Sequence, residues 1–178
     1  MTLRTIVFAL WAAFGLYWLV AAFGAKEGAR STRASFPSLL IIVGVVLVRV
    51  FRTGSLAVHN PALEAVGTVL FVAGLGLAVW ARIFLGRNWG MPMTRKQDPE
   101  LVTTGPYRFV RHPIYSGILL AILGTVLATN LYWLIALAIL GAYFIYSATV
   151  EERLMTTEFP AAYPRYRAST KMLIPFVL

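Results

Sequence analysis

Five apolar runs dominate the chain, at Leu3–Phe23, Phe36–Phe51, Ala62–Leu85, Ile114–Thr129 and Leu131–Val150. A helix needs about 17–25 residues to span the hydrocarbon of a bilayer. The first, third and fifth runs meet that length; the second carries Arg49 near its end and the fourth is short. Backbone polar groups in lipid must be bonded within their own segment or barrel, so long apolar runs of this kind fold as helices. The expected fold class is all-α: a polytopic membrane helical bundle of about five transmembrane helices with a cytoplasmic C-terminal segment. The first run reads as a span rather than a signal peptide, because it is long and its positive flank is only Arg4.

Composition agrees. The chain is 59% hydrophobic and 13% charged, with a mean hydropathy of +0.74, whereas soluble domains carry about one quarter charged residues. A length of 178 residues suits one domain, 1–178. Cysteine is absent, which excludes disulfides, thiolate metal sites and cysteine nucleophiles. The two histidines, His59 and His112, stand too far apart to pair as ligands at helical spacing, so no metal is expected. His59, before Pro61 in a loop, reads as a surface residue. The net charge of +9 accompanies no aromatic-basic nucleic-acid module, and basic loops are what cytoplasmic membrane faces carry.

Lysine and arginine therefore report topology. With five spans, one side receives Lys26, Arg30 and Arg33, the segment from Arg82 to Arg111, and the tail with Arg153, Arg165, Arg167 and Lys171. That side holds 13 of the 16 basic residues, leaving Arg4, Arg49 and Arg52 opposite. The bias puts the N-terminus outside and the C-terminus in the cytoplasm.

The fourth and fifth runs are separated only by Thr129 and Asn130, with Tyr132 and Trp133 following, which predicts a tight hairpin with aromatics at interface depth. Gly117, Ala121, Gly124 and Ala128 share one helix face, and Ala138, Gly141 and Ala148 form a comparable one. Small faces let membrane helices approach closely, so these two helices are expected to pack on each other. The tail from Glu151 is too polar to span. It reads as a helix continuing the fifth run, then an irregular segment against the membrane surface.

Two clusters interrupt the lipid-like pattern. The first is "LVTTGPYRFVRHPIYSG", Leu101 to Gly117, where Gly105-Pro106 sets a turn and Pro113 suits the first turn of a helix. The second is "EERLMTTEFPAAYPRY", where Glu151 and Glu152 end the fifth run and Tyr163 and Tyr166 follow. An antiparallel hairpin brings Arg111, His112 and Tyr115 beside Glu151 and Glu152. Ionisable groups at membrane depth cost enough to mark a functional site by default. Arg95, Lys96, Arg165, Arg167 and Lys171 read instead as interfacial anchors.

These paired motifs, "GPYRFVRHPIYSG" and "EERLMTTEFPAAYPRYRASTKMLIPF", resemble the isoprenylcysteine carboxyl methyltransferase and phospholipid methyltransferase family over roughly Leu85–Phe176. The resemblance implies an integral membrane enzyme using S-adenosylmethionine, converted to S-adenosylhomocysteine. Residues 1–85 would then supply three N-terminal helices, and residues 86–178 the cofactor-binding half with its hairpin. Carried over, the cofactor contacts fall on Leu101, Val102, Tyr107, His112, Pro113, Ile114, Tyr115 and Glu151. His112 and Tyr115 can donate to the cofactor carboxylate at a helix start, Glu151 can accept from hydroxyl or amino groups, and Leu101, Val102 and Ile114 can line the adenine. Arg111 and Glu152 take the catalytic roles, with Glu152 as the base an amine acceptor would need. The partners implied are membrane lipids and a lipophilic acceptor, not nucleic acid.

One position departs from the family. The eukaryotic carboxyl methyltransferases place an arginine one turn before the first glutamate, and here Ser147 stands there. The acceptor thus stays open between a carboxylate, an amine and another small nucleophile. Two rivals stay open as well. Membrane sterol reductases share the "RHP-x-Y" region and bind NADPH, although the Glu-Glu pair and short chain favour the methyltransferase. The other rival is a membrane protein whose polar hairpin mouth is only an anchor.

Overall fold

In a computed structural model, residues 2–22, 28–30, 56–89, 94–96 and 100–177 are described. Among the described residues five α-helices follow one another: α1 (Leu3–Ala22), α2 (Pro61–Leu85), α3 (Pro113–Ala128), α4 (Trp133–Glu158) and α5 (Ala162–Ser169). The expected second span, Phe36–Phe51, lies outside the described residues. Two three-residue strands, β1 (Gly28–Arg30) and β2 (Thr94–Lys96), pair antiparallel with Ala29 opposite Arg95. Strands this short leave no usable alternation in the sequence. Helices α1, α2 and α4 are long and apolar enough to cross a membrane, while α3 is a shorter apolar helix of 16 residues.

Local chemistry sets the helix starts. Asn60 caps α2, its Oδ1 accepting from the N–H groups of Ala62 and Leu63 at 3.0 and 3.2 Å. Pro61 and Pro113 open α2 and α3, where a missing N–H costs nothing. Helix α4 runs eight residues past the apolar run that ends at Val150, reaching Glu158 before the chain turns at Phe159–Ala161 into α5.

The packing corrects one expectation. The small face of α3 lies on α2, not on α4. A Cβ on Gly74 would meet Ala121 N at 2.4 Å and Gly117 O at 2.6 Å, and one on Gly124 would meet Phe71 N at 2.3 Å. Gly67 faces Gly124 and Ala128 in the same way, so the backbones of α2 and α3 touch along antiparallel helices. Gly141 of α4, by contrast, meets only the end of the Leu119 side chain, at 4.0 Å. The α3–α4 contact is made by larger side chains, including Ile122, Val126, Trp133 and Ala136. Without a hydrophobic drive between helices in lipid, close backbone approach is what holds such a pair. Two glycine-bearing faces, one on each helix, allow it; α4 has no continuous one opposite α3.

The hairpin tip between α3 and α4 falls at Thr129–Tyr132, as the short polar break predicts. The chain before α2 covers it: Val58 N–H donates to Thr129 O and Leu131 N–H to Leu56 O, at 3.1 and 3.0 Å. At the other end of the bundle, the Arg82 guanidinium donates to Ala21 O at 2.7 Å. Helices α1 and α2 therefore run parallel, with Ala22 and Leu56 at opposite ends. Trp11 seats α1, donating to Thr125 Oγ1 at 3.1 Å and lying against Phe71 and Trp133.

Candidate active site

The ends of α2, α3 and α4 that carry Arg82, His112 and Glu151 lie together. Gly105 begins the approach to this site. It has φ +58°, and a side chain there would strike the Phe84 ring, so glycine meets both a conformational and a spatial demand. The turn Gly105–Arg108 then buries Tyr107, whose hydroxyl donates to Ala81 O at 3.3 Å. Burial pushes the Tyr107 phenol well above its ordinary pKa, so it remains a neutral donor.

A three-ring stack crosses from α3 to α4. His112 lies parallel to Tyr115 with centroids 5.5 Å apart, and Tyr115 lies parallel to Phe144 at 4.4 Å. The Tyr115 hydroxyl reaches further along α4 to donate to Glu151 Oε1 at 2.5 Å. Tyr115 thus spans from Phe144 to Glu151, two turns of the helix. His112 Nδ1 lies 3.5 Å from Glu151 Oε2 and its Nε2 3.6 Å from Glu152 Oε1; Nε2 is buried and makes no hydrogen bond. Burial of the ring works to lower the His112 pKa, but the carboxylates of Glu151 and Glu152 outweigh it and raise the value.

Glu152 is 3% exposed and is held from two directions. Arg111 Nε donates to its Oε1 at 2.7 Å, and Arg167 Nε lies 3.3 Å from its Oε2. The Arg111 guanidinium also donates to the carbonyls of Arg167 and Thr170. Buried carboxylates endure only when paired in this fashion. Arg167, expected as an interfacial anchor with which the glutamates pair, is thus the residue that engages the second Glu152 oxygen. Nothing in the local pattern announced this, because fifteen positions and the turn at Phe159–Ala161 separate it from Glu152.

Of the residues singled out in the sequence, Val102, Tyr107, Ile114 and Tyr115 share one core with Ala81, Trp89, Phe144, Ala148 and Leu173. Pro113 is buried at the first position of α3, and Leu101 is half-buried ahead of Val102. Arg111, His112, Glu151 and Glu152 form the polar side of the same region. Trp89, Phe144 and Arg82 were not foreseen as neighbours of the site. The two aromatics sit in or beside apolar runs, where such residues are ordinary. Arg82 counts towards the cytoplasmic charge in the sequence, yet it is 6% exposed, donates to Gly86 O at 2.8 Å and lies 4.6 Å from the Trp89 ring.

Ser147 is fully buried one turn before Glu151, and its Oγ makes no hydrogen bond. Other hydroxyls on these helices behave differently. Thr125, Thr149, Thr156 and Thr157 each donate to the carbonyl four residues earlier.

Apolar spanning helices with a buried, hydrogen-bonded ionic cluster at one end define an integral membrane protein with a candidate site at that end. Comparison with known proteins then names the family. The phospholipid methyltransferase family model matches residues 63–162. The chain belongs to that family of membrane methyltransferases, together with the isoprenylcysteine carboxyl methyltransferases it resembles.

Among curated proteins it is similar to the protein-S-isoprenylcysteine O-methyltransferase of Schizosaccharomyces pombe, with 34% identity over 47% of this chain and 36% of that protein. It is also similar to methanethiol S-methyltransferase 2 of Bradyrhizobium diazoefficiens, with 42% identity over 39% of this chain and 26% of that one. The nickel-cobalt-cadmium resistance protein NccN of Alcaligenes xylosoxydans is 29% identical over 67% of this chain and 55% of its own length. The chain therefore spans between about a quarter and just over half of these relatives. The solved structure of a eukaryotic intramembrane Ras methyltransferase, isoprenylcysteine carboxyl methyltransferase, shares the fold. Its TM-score is 0.64 at 24% identity, over 83% of this chain and 55% of that one.

Proposed function

We propose that the chain transfers the methyl group of S-adenosylmethionine to a small or lipid-borne nucleophile at the cytoplasmic face of a membrane. One observation carries the reading: the His112–Tyr115–Phe144 stack, closed by the Tyr115–Glu151 hydrogen bond and bearing a buried, unbonded His112 Nε2. These residues fit the cofactor chemically. Glu151 offers a carboxylate to hydroxyl or ammonium groups, its side chain 26% exposed where Glu152 is closed off. The Tyr115 ring is covered by His112 and Phe144, so the stack serves as a rigid wall, and His112 at the start of α3 suits an anion.

The cofactor, when bound, supplies an electrophilic methyl group on a sulfonium, a good leaving group. The protein's task is then alignment and exclusion of water, the acceptor entering already deprotonated, as a thiolate or a free amine. Glu152 engages Arg111 and Arg167, so in this reading Arg111 and Glu152 act as positioning residues, fixing the chain that presents His112. Tyr107, neutral and buried, donates to Ala81 O and braces the end of α2 against the turn before α3. The basic-residue bias supports an N-terminus outside and a C-terminus in the cytoplasm.

Ser147 bears on the acceptor. A buried hydroxyl without a bond can receive or donate one hydrogen bond to a ligand, but it supplies no charge to a carboxylate. We therefore assign as acceptor a thiol, an amine or another small lipophilic nucleophile in preference to a prenylcysteine carboxylate. The test is transfer of radiolabelled methyl groups to both acceptor classes. The wild type should favour the thiol and amine class, and Ser147→Arg should move preference towards the carboxylate. A wild type that strongly prefers the prenylcysteine carboxylate would refute the assignment.

A further inference from the structure

The last residues of the chain are bound to the site by their backbone. Arg111 N–H donates to Lys171 O at 2.8 Å and His112 N–H to Met172 O at 3.0 Å, with Val110 and Lys171 paired in parallel. Ser116 Oγ donates to Leu173 O at 2.6 Å, and Leu173 is buried in the core that holds Tyr115 and Phe144. Thr170–Leu173 is thus a strap across the N-terminus of α3. A parallel strap runs the same way as the chain it pairs with, and that chain goes on into the apolar helix α3. Past Leu173 the chain emerges from the buried core at the end of the strap.

The residues beyond Leu173 have the composition of a membrane insert. Ile174, Phe176 and Val177 are 52%, 94% and 72% exposed, and the turn is closed by Val177 N–H donating to Ile174 O. Phe176 holds φ +67°, a conformation disfavoured for a bulky side chain, and its ring is exposed. Phe109, 49% exposed, directly precedes Val110, which pairs with the strap, and the Arg108 guanidinium covers its ring at 4.5 Å. Lys171 and Arg108 are exposed beside these apolar groups. Cations flanking an exposed apolar turn complement the anionic lipid headgroups of a cytoplasmic leaflet.

We propose that Ile174–Val177 inserts into the anionic leaflet and, through the strap, holds Arg111 and His112 in place. The site would then be assembled fully only on a membrane. This goes beyond methyl transfer and does not depend on it, because its first readout is depth.

The chain has no cysteine, so Val177→Cys gives a unique spin-labelling position. In full-length protein in nanodiscs containing phosphatidylglycerol, that label should collide with oxygen several-fold more, relative to a water-soluble nickel chelate, than a label at Ala168→Cys. Equal ratios at the two positions would overturn insertion, and dipolar broadening between labels would assign the patch to a second copy instead. For the coupling, deuterium exchange at the Arg111 and His112 amides should be about tenfold faster in Phe176→Asp than in wild type in the same nanodiscs. Unchanged exchange, with the variant's label shown to have left the membrane, would overturn the latch.

Discussion

Replacing Gly74 with alanine tests the contact that sets the geometry of the whole site. The new methyl would sit 2.4 Å from Ala121 N, 2.6 Å from Gly117 O and 2.8 Å from Ala121 Cα. All three are backbone atoms, so no side chain can rotate away. Restoring ordinary contact at about 3.5 Å requires α2 and α3 to part by roughly 1 Å, a gap that forfeits a quarter to a half of each dispersion contact along the seam. Overpacking of this kind costs about 1–3 kcal/mol. Gly76, two residues along, provides the control, since a Cβ there meets nothing within 4 Å. There the removal of glycine's backbone freedom should stabilise by about 0.5–1 kcal/mol. Unfolding titrations of both variants in mixed detergent should therefore separate them by about 2 kcal/mol or more. Equal stability would refute the close α2–α3 packing, and with it the placement of Gly117, two residues from Tyr115.

Two further outcomes come from the charges. Because the folded His112 pKa is raised above its ordinary 6.5, the protonated ring favours the fold; that stability is fully present below pH 6.5 and is lost as pH rises through the raised value. The Tm difference between wild type and His112→Gln should accordingly be largest in mildly acidic buffer and shrink on alkalinisation, and a difference that grows with pH would refute the pairing with Glu151 and Glu152. For orientation, an alkaline phosphatase fused after Leu178 should be inactive in cells, and an active fusion would reverse the assigned topology.

The sequence made the hairpin legible because a polar break of so few residues leaves antiparallel helices no other option. That alone brought His112 and Tyr115 to Glu151. Periodicity also showed that Gly117, Ala121, Gly124 and Ala128 share a face, but a face carries no record of its partner. The partner proved to be Gly67, Gly74 and Ala78 of α2, a small face interleaved with large lipid-facing residues such as Val69, Val72 and Trp80. The strap of Thr170–Leu173 was illegible for a different reason. It acts through carbonyls, which every residue has. Arg82 entered the sequence reading only as one of the basic residues on one side, because nothing local distinguishes an arginine that snorkels from one bound to the carbonyls of Ala21 and Gly86. Phe144 gave no signal within an apolar run, yet it completes the stack.

The role proposed for the His112–Tyr115–Glu151 constellation is to receive the methyl-donor cofactor. Isothermal titration of the full-length protein in lipid nanodiscs, with S-adenosylhomocysteine and separately with NADPH, tests it most directly. S-adenosylhomocysteine should bind and NADPH should not. Glu151→Ala should weaken the former at least tenfold, about 1.5 kcal/mol, the scale of a lost charge-assisted hydrogen bond. Binding of NADPH alone, or S-adenosylhomocysteine affinity unchanged in a folded Glu151→Ala protein, would contradict the account.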